Sequence, residues 1–547
     1  MEIISYDLAI IGSGIACSRT LCELAERLKA AGNRGPMLRI GIIERGGEMW
    51  SGVPYGMRSA IGALAFQRLQ EFLEEPERSW YISWLMVNAD RWLRMFVEGG
   101  GPGAAKWIAD NHVLIEQGKW EELYLPRFVF GMYVSSQAAR AVEELATLGL
   151  ANVMPIHGEA VGMCRTDKGH HIIDVENHNG GRTSVHAARV VVAIGSPPQK
   201  RMGTGVVDCL HSHTHIHDLY SPSEDINVKR LEDALSSLPH KRMANLLIVG
   251  SNASSLELLY LINYRPEIRK LVNSVVVLSR SGSLPYKICE ESIPFELSAL
   301  EALGDTSYFS AADLMAAIQC DLRRAEDMRV NIADLRDPVG AAVSRLTALL
   351  HVSEQKKFVC EHGIHFSRMM RRAGRDTRNA ADQLVDTGIL STVKGEFRGL
   401  QPTPAGEGLV FATYASVAGE AEVIHPVPFR VSVNCGGFEE LDVSSSRLIK
   451  SLIANKLCRV NSTNRGFQVT DRLEASENVY VIGPLVAGNF NEKLRFWHVE
   501  SASRIVRLAK VLAESLVDSL LPATTYSVSG ETDRAGAMVS TVFPQYL

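Results

Sequence analysis

A tight glycine turn near the start of the chain is the first feature that could do chemistry. It follows a short apolar run and consists of Gly12, Ser13, Gly14, Ile15 and Ala16. Glycines at these positions permit a sharp strand-to-helix turn and let the backbone approach a pyrophosphate. The helix that follows would add free N–H groups and the positive end of its dipole. The pattern therefore predicts a dinucleotide-binding turn.

An acidic residue at the end of the next apolar run supports this interpretation. Residues 18–31 have helical spacing, and residues 38–43 form a second buried-strand pattern that ends at Glu44. A carboxylate at this position accepts hydrogen bonds from the ribose hydroxyls of an adenine dinucleotide. Cys17 replaces the third glycine of the usual pattern, but it is small enough for close helix–strand packing. A glycine-rich turn of some other α/β domain is the alternative.

A second, weaker motif repeats the pattern between another predicted strand and helix. It consists of Gly250, Ser251, Asn252, Ala253, Ser254 and Ser255. Asn252 and Ser255 stand where glycines are expected, and asparagine tolerates left-handed backbone angles better than most residues. Two such units in one chain predict two nucleotide-binding domains.

Arg280 ends the strand after the second motif, in the place that Glu44 has after the first. An arginine here would pair with a 2′-phosphate, which favours NADPH over NADH. The alternative is an ordinary solvated charge at a strand end.

The order of these motifs resembles the FAD/NAD(P)-binding flavoproteins, and most closely a bacterial branch related to the N-hydroxylating and other class B flavin monooxygenases. The resemblance implies FAD at the first turn and NADPH at the second. It extends from residue 7 to about residue 510. The matching stretches include residues 12–16, 52–56, 80–85, 126–131, 193–195, 250–257, 277–285, 433–437 and 479–485.

The resemblance also implies cofactor contacts outside the two turns. Gly195 would close the strand that leads from the FAD domain to the NADPH domain, and Gly483 would lie beside the ribityl chain of FAD. Pro484 stands where many relatives carry aspartate, so that contact would have to come from the backbone or elsewhere. Further cofactor contacts are expected at Arg45, Arg127 and Val161.

Three residues are candidates for substrate chemistry. Trp497 could wall a pocket beside the flavin, and His498 could orient substrate or move a proton. The alternative is that Trp497 packs under the last helix and His498 is a satisfied surface residue. His211 begins a run of alternating histidines, 211–217, and would lie near the nicotinamide as in N-hydroxylating relatives. A polar linker is the favoured interpretation of this run, and no metal site is expected.

The predicted fold is α/β, with two Rossmann-like dinucleotide-binding domains and a mainly helical insertion at about 286–395. Four arginines of the insertion have helical spacing, which predicts one solvated face or, as the alternative, a carboxylate site: Arg368, Arg371, Arg372 and Arg375. The expected organisation is an FAD domain at 1–200, an inserted NADPH domain at 201–425, a second FAD segment at 426–520 and a tail at 521–547.

Composition excludes several other classes of function. A net charge of −5 and the lack of a long apolar run give no reason to expect nucleic acid or a membrane as partner. The N-terminus has no signal-peptide pattern, so a cytoplasmic location is expected. Nine cysteines are scattered without CxxC spacing, which argues against disulfide reduction and a zinc site. A homo-oligomer is compatible with all of these features.

These observations lead to one hypothesis about the reaction. We expect an NADPH-dependent FAD monooxygenase that uses O2, through a flavin hydroperoxide, to N-hydroxylate an amino acid or small amine. Two alternatives stay open. One is an NADPH-dependent reductase that passes electrons to another acceptor, and the other is a non-catalytic flavin-binding partner protein.

Overall fold

The computed structural model describes residues 5–32, 35–202, 213–237, 244–289, 293–404, 408–416, 421–499 and 501–521. A mixed eight-stranded sheet and a parallel five-stranded sheet, with helices packed against them, form most of this part of the chain together with a helical insert and three small sheets. The α/β class expected from the sequence is confirmed. No helix of the described residues is long and apolar enough to cross a bilayer.

The N-terminal part begins with a strand–helix–strand unit. Its first strand is apolar and its four last residues are fully or almost fully buried, as expected for a central parallel strand. The elements are β1 (Ser5–Ile11), α1 (Ile15–Ala31), β2 (Leu38–Glu44), α2 (Leu69–Phe72), α3 (Glu77–Val87), α4 (Ala89–Glu116), α5 (Arg127–Thr147), β3 (Ala151–His157), β4 (Glu159–Arg165), β5 (His171–Glu176) and β6 (Arg182–Val192).

A second alternation of strands and helices follows. The helix after its glycine motif is apolar on nearly every side and is buried accordingly. The elements are β7 (Thr214–Ile216), α6 (Glu224–Ser236), β8 (Ala244–Val249), α7 (Ala253–Tyr264), α8 (Pro266–Arg269) and β9 (Val272–Ser279).

A mainly helical insert separates β9 from the next strand of its sheet. Most of its buried side chains form a hydrophobic core of their own, which also takes in Trp497. The elements are β10 (Tyr286–Lys287), α9 (Ser298–Gly304), α10 (Ala311–Asp327), α11 (Arg336–Leu349), α12 (Val352–Lys357), a π-turn (Phe358–His362), α13 (Gly363–Met369), β11 (Arg372–Ala373), α14 (Arg375–Asp386) and β12 (Leu390–Lys394).

The chain then completes both sheets and ends in a long helix. This helix packs against α1, which places the C-terminal part over the first dinucleotide turn. The elements are β13 (Glu396–Pro402), β14 (Val410–Ala415), β15 (Glu422–Ile424), β16 (Val431–Asn434), α15 (Arg447–Ala454), β17 (Glu474–Ser476), β18 (Val479–Val481), β19 (Asn489–Phe490), β20 (Arg495–Phe496) and α16 (Ala502–Leu520).

The first sheet has eight strands, and its main path runs β17-β18-β6-β1-β2-β3. β1 pairs in parallel with β2 and β6, and β18 pairs in parallel with β6. The carboxyl ends of β1, β2 and β18 therefore meet at one edge of the sheet, which is where ligands bind in open α/β sheets.

The second sheet has five strands in the order β12-β9-β8-β16-β7. All of its pairings are parallel. Its strands come from residues 214–434, so they lie between the two segments that build the first sheet. This topology is the nested arrangement that the repeated motif indicated.

The prediction of a single arginine-lined helical face in the insert is wrong. α13 ends at Met369, Arg372 lies in the short strand β11, and α14 begins at Arg375. β11 pairs with β10, and Gly374 precedes α14 in an extended conformation, so the chain changes direction inside the run of arginines. Helical spacing in sequence was therefore coincidental here.

Candidate functional site

The first glycine turn is fixed from both sides by neighbouring strands. Gly12 has φ +96°, and its N–H donates to the carbonyl oxygen of Ile43 at 2.8 Å. A Cβ at Gly12 would lie 2.6 Å from the carbonyl oxygen of Ala193, closer than real side chains approach. Only glycine fits both the backbone angle and the space.

The helix after this turn presents free amides. α1 begins at Ile15, its N-cap is Gly14, and it has neither a side-chain cap nor an acidic residue in its first turn. Gly52 (φ +67°) covers the turn, because a Cβ at Gly14 would lie 3.4 Å from the Gly52 Cα. The amides of Ile15 and Ala16 are thus placed to bind an anion, and the close backbone approach suits a pyrophosphate.

Glu44 lies beside the turn, as its position at the end of β2 predicted. Its Oε2 accepts from the backbone N–H of Ser13 at 2.9 Å and from the Ser13 hydroxyl at 2.6 Å, and its Oε1 accepts from the Gly46 N–H at 2.7 Å. A carboxylate has about four acceptor positions, so capacity remains for a ribose hydroxyl. The Glu44 carboxylate, as an acceptor for ribose hydroxyls, therefore fits the adenosine end of FAD.

The C-terminal segment reaches the same turn. Gly483 has φ +87°, and a Cβ there would lie 3.9 Å from the Cβ of Ala16. Pro484 begins a short 3₁₀ turn, Pro484–Val486. Gly195 has φ +78° with no atom within 4 Å of the position that a Cβ would take, so the end of the returning strand borders open space. The three glycine motifs of the FAD domain thus converge.

Arg45 and Val161 are two further residues predicted to contact FAD. Arg45 is exposed and lies 3.7 Å from a carboxylate oxygen of Glu159. Val161 is at a register shift between β4 and β5. Both remain proposed contacts for FAD, at the rim of the site.

The second glycine turn has the same construction. Gly250 has φ +103°, and a Cβ there would overlap the carbonyl oxygen of Cys435. α7 begins at Ala253 and has neither a side-chain cap nor an acidic residue in its first turn. Its amides are therefore placed to bind the pyrophosphate of a second dinucleotide.

The turn does not require the left-handed backbone angles that asparagine tolerates. Asn252 has φ −98° and ψ −157°, which is extended backbone that needs no left-handed tolerance. Gly250 carries the positive φ by itself. Ser255 is fully buried and its hydroxyl donates to the Asn252 carbonyl at 2.7 Å, while the Ser254 hydroxyl lies 3.3 Å from the Tyr220 hydroxyl. Ser251 Oγ lies 3.4 Å from Ser281 Oγ, linking the turn to the end of β9.

Arg280 is exposed immediately after β9, at the same edge of the sheet as the second turn. Its guanidinium makes no hydrogen bond or ion pair with another described residue. The Arg368 guanidinium lies near enough for the charge of Arg280 to contribute to the lowered pKa of Arg368, after the larger effect of burial. Two neighbouring cations suit a phosphate.

Arg127 pairs with another side chain of the protein and does not face open space. Its guanidinium forms an ion pair with Glu257, and the two side chains are 11% and 2% exposed. Burial by itself would lower the pKa of Arg127, but the negative charge of Glu257 raises it above its ordinary value. The sequence indicated a cofactor contact here, whereas the structure places this arginine between the two dinucleotide domains.

Trp497 is buried and His498 is half-buried at the junction with the helical insert. The Trp497 ring packs against Phe358 and Phe366, which makes it part of the insert's core rather than the wall of an open pocket. His498 Nε2 lies 3.3 Å from Nη1 of Arg504. Burial and the charge of Arg504 hold the pKa of His498 well below its ordinary value, so the imidazole stays neutral. Neither residue is an exposed surface group.

His211 lies outside the described residues. Two later histidines of the same run bracket one hydroxyl: His213 Nε2 and His215 Nδ1 each lie 2.9 Å from Oγ of Ser432. The Ser432 side chain is fully buried on β16. Among the described residues no group of three or more His, Cys, Asp and Glu is placed to hold a metal ion. His213 and His215 are therefore a half-buried structural pair on either side of the Ser432 hydroxyl.

This half-buried histidine pair is expected to make the protein sensitive to acid. Burial lowers the pKa of both His213 and His215 to about 4, from about 6.5 when unfolded. Between these two pH values the unfolded chain binds more protons than the folded chain. The free energy of unfolding therefore has its full value, as far as these histidines are concerned, above pH 6.5 and falls as the pH drops towards 4. Each histidine contributes a slope of up to about 1.4 kcal/mol per pH unit.

The test compares thermal unfolding at several pH values in this window. The double substitution His213→Gln and His215→Asn keeps polar atoms near the Ser432 hydroxyl without the titration, and we expect it to flatten the slope. His178→Gln, at an exposed histidine, is the control and should keep the wild-type slope. Equal slopes for all three proteins would contradict the assignment.

Sequence reasoning missed a polar cluster around Glu257. The signal was available, since Glu257 is the one acidic residue in the otherwise apolar and polar-neutral helix Ala253–Tyr264. A single charge in a buried helix needs a partner. The identity of that partner, Arg127, lies far away in sequence and had no local signature.

Comparison with known proteins agrees with this geometry. Residues 9–197 match a family model described as FAD-NAD(P)-binding. Over 518 residues the chain is 46% identical to a Mycobacterium tuberculosis protein and to a Mycobacterium bovis protein, both described as uncharacterized. Each alignment covers 95% of this chain and 96% of the relative.

Three similar solved structures share the fold at low identity. The Kutzneria sp. 744 ornithine N-hydroxylase has a TM-score of 0.52 at 17% identity, covering 94% of this chain and 99% of that one. The reduced Pseudomonas aeruginosa ornithine hydroxylase has a TM-score of 0.55 at 13% identity, covering 95% and 100%. The FAD-bound cadaverine monooxygenase of Erwinia amylovora has a TM-score of 0.53 at 11% identity, covering 98% and 99%.

The fold and its two glycine turns define a flavoprotein of the FAD-NAD(P)-binding class, as the resemblance implied. Its architecture is the one seen in flavin-dependent N-hydroxylating monooxygenases. Within that class, the chain belongs to the family that includes the two mycobacterial proteins.

Proposed function

We propose that this protein is an NADPH-dependent FAD monooxygenase that N-hydroxylates an amino acid or small amine. The observation that carries the proposal is a pair of glycine turns, the first accompanied by an acidic residue and the second by a basic one. Each turn leads into an uncapped helix N-terminus, with Glu44 beside the first and Arg280 beside the second. A carboxylate suits ribose hydroxyls, and a guanidinium suits a 2′-phosphate.

The chain's own residues would bind and orient the two cofactors. The amides of Ile15 and Ala16 would hold the FAD pyrophosphate, with Gly195 and Gly483 leaving room along the rest of the cofactor. Bound FAD supplies the transfer of electrons from NADPH to the acceptor. His498 would stay neutral at neutral pH, because burial and the charge of its neighbour Arg504 hold its pKa well below its ordinary value.

Oxygen is the acceptor that the remaining features favour. The sequence has no CxxC pair to carry electrons to a disulfide. In the proposed reaction NADPH gives a hydride, which is two electrons and one proton. One atom of O2 enters an N–H bond of the amine, and the other leaves as water after taking up that proton and a second one from solvent. The amine class follows the activities of the solved relatives, which act on ornithine and cadaverine.

The direct test is product analysis with isotopically heavy oxygen gas. The purified protein is incubated with FAD, NADPH and a panel of amino acids and diamines, and the products are examined by mass spectrometry. We expect one heavy oxygen atom on the nitrogen of a panel member. NADPH oxidation with only hydrogen peroxide as product, unchanged by every amine, would contradict N-hydroxylation and favour a reductase.

Arg280 provides a test of the second cofactor. Arg280→Ala is expected to raise KM for NADPH by about 10- to 100-fold, because a charge-assisted contact to the 2′-phosphate is lost. KM for NADH, which lacks that phosphate, should stay within about twofold. Lys270→Ala, just before the opposite end of the same strand, is the control and should change neither value.

The measurement is steady-state NADPH and NADH oxidation by the three proteins. An Arg280→Ala protein with an unchanged ratio of the two KM values would show that this arginine does not read the phosphate.

A further inference from the structure

The strongest feature that the proposed function leaves unused is a buried polar cluster between the two dinucleotide domains. The FAD domain contributes Ser59, the Ala60 amide and Arg127. The NADPH domain contributes the side chains of Glu224 and Glu257. Both carboxyl groups are at most 2% exposed, and burial at this depth demands that each charge be compensated.

Glu257 is the hub of this cluster. Its Oε1 pairs with Arg127 and accepts from the Ser59 hydroxyl at 3.2 Å. Its Oε2 accepts from the Tyr220 hydroxyl at 2.8 Å, and that hydroxyl also lies 3.3 Å from Oγ of Ser254. Ser254 is in the first turn of α7, the helix end assigned to the NADPH pyrophosphate. One carboxylate therefore ties this helix end to the FAD domain.

The FAD side of the cluster is likewise connected to its dinucleotide turn. The segment 58–60 follows Gly52, whose backbone covers Gly14. The Ala60 N–H donates to Oε2 of Glu224 at 2.8 Å, and the Arg58 carbonyl accepts from the backbone N–H of Glu224 at 2.8 Å. The cluster thus connects the two turns through covalent and hydrogen-bonded contacts.

The carboxyl groups of Glu224 and Glu257 have different electrostatic surroundings. One arginine compensates one carboxylate, and Arg127 lies against Glu257. Oε1 of Glu224 is buried and accepts no hydrogen bond from a donor among the described residues. Burial and the nearby charge of Glu257 hold the pKa of Glu224 well above its ordinary range. Glu224 is therefore the neutral carboxyl group of the two, and Glu257 is the one that pairs with Arg127.

We propose that the Glu257–Arg127 ion pair is the positioning element that sets the NADPH-binding turn in register with the FAD-binding turn, with the Glu224 carboxyl group beside it. This proposal rests on the proposed function, because it assumes a dinucleotide at each turn. Glu257 acts through the placement of α7 and touches neither reacting atom. Its expected effect is on the rate of electron transfer between the cofactors.

The same substitution, glutamate to glutamine, is made at each of the two positions to test the roles of the two carboxyl groups separately. Glu257→Gln removes the carboxyl partner of Arg127, and we expect NADPH to reduce the bound flavin about 10- to 100-fold more slowly at saturating NADPH. Glu224→Gln replaces one neutral group by another of the same shape, and its rate should stay within about twofold of wild type. FAD content should be unchanged in both proteins.

A third variant distinguishes positioning from simple charge balance. In Glu257→Gln the buried Arg127 charge is unpaired, so thermal unfolding is expected about 5 to 10 °C lower. The double substitution Arg127→Met and Glu257→Gln removes that charge and should recover most of this Tm. Its flavin reduction should remain slow, because the link between the domains is still absent.

The readouts are anaerobic stopped-flow reduction by NADPH, reduction by dithionite as a cofactor control, FAD content and Tm. Wild-type rates in Glu257→Gln, equal slowing in Glu224→Gln, or recovery of both Tm and rate in the double variant would each overturn the positioning role. A wild-type flavin that NADPH never reduces would instead overturn the proposed function. In that case the order of Tm values would still test which carboxyl group is charged.

Discussion

Gly12→Ala is expected to yield a protein that retains less than about a tenth of the FAD bound by wild type. Gly12 has φ +96°, where an L-residue is strained, and the new Cβ would lie 2.6 Å from the Ala193 carbonyl oxygen. The strands that end at this turn would have to separate, which moves the amides of Ile15 and Ala16. We expect a cost of about 3 kcal/mol in the free energy of unfolding, from strain and overpacking together.

The measurement is the ratio of flavin to protein after desalting, together with thermal unfolding. Gly32→Ala is the matched control, because Gly32 also has a positive φ of +70° but no atom lies within 4 Å of its Cβ position. That variant should lose about 1 kcal/mol and keep its flavin. If Gly12→Ala binds FAD as well as the control does, the first turn is not the FAD site.

Gly250→Ala is expected to have the second largest effect, and a different one. Its Cβ would overlap the Cys435 carbonyl oxygen, so the turn before α7 would open and the pyrophosphate amides would shift. FAD content should remain near wild type because the first turn is built from other strands. Reduction of the flavin by NADPH should fall by about 100-fold or more, since a misplaced nicotinamide loses the reactive geometry.

Anaerobic reduction of the flavin by NADPH and by dithionite checks this prediction. Dithionite should reduce the variant at the wild-type rate. Gly388→Ala is the control in the same sheet region, with φ +71° and no atom within 4 Å of its Cβ position. Wild-type NADPH reduction in Gly250→Ala would place the second cofactor elsewhere.

The local parts of the fold were predictable because their signals are local. The apolar run before Gly12, the helical spacing after it and the acid at Glu44 gave β1, α1 and β2 close to the bounds observed. The second unit followed for the same reason, although its glycine pattern is degenerate. Positive φ at Gly12 and Gly250 is the physical requirement that left both residues recognisable in the sequence.

Contacts between distant segments were not predictable from one sequence. The pairing of Arg127 with Glu257 depends on how two domains pack, and neither residue has a neighbour that reveals the other. The run of arginines around Arg372 had helical spacing, but a short parallel bridge between β10 and β11 overrides it. Tertiary pairing determined the local structure there.

Trp497 shows the same limit for the candidate site. Its position after Gly483 placed it near the flavin by sequence, but the helical insert supplies Phe358 and Phe366 to cover its ring. An insertion far away in sequence therefore changed an expected pocket residue into a core residue. Side-chain roles at the flavin could be inferred only where the backbone itself forms the site.

The most direct test of the account is an anaerobic titration of the purified, FAD-loaded protein with NADPH, followed by the visible absorption of the flavin. Two dinucleotide turns in one structure predict that about one equivalent of NADPH bleaches the flavin completely, and that admitting air restores its colour. A protein that binds no flavin, or whose flavin keeps its colour under excess NADPH, would contradict the central claim.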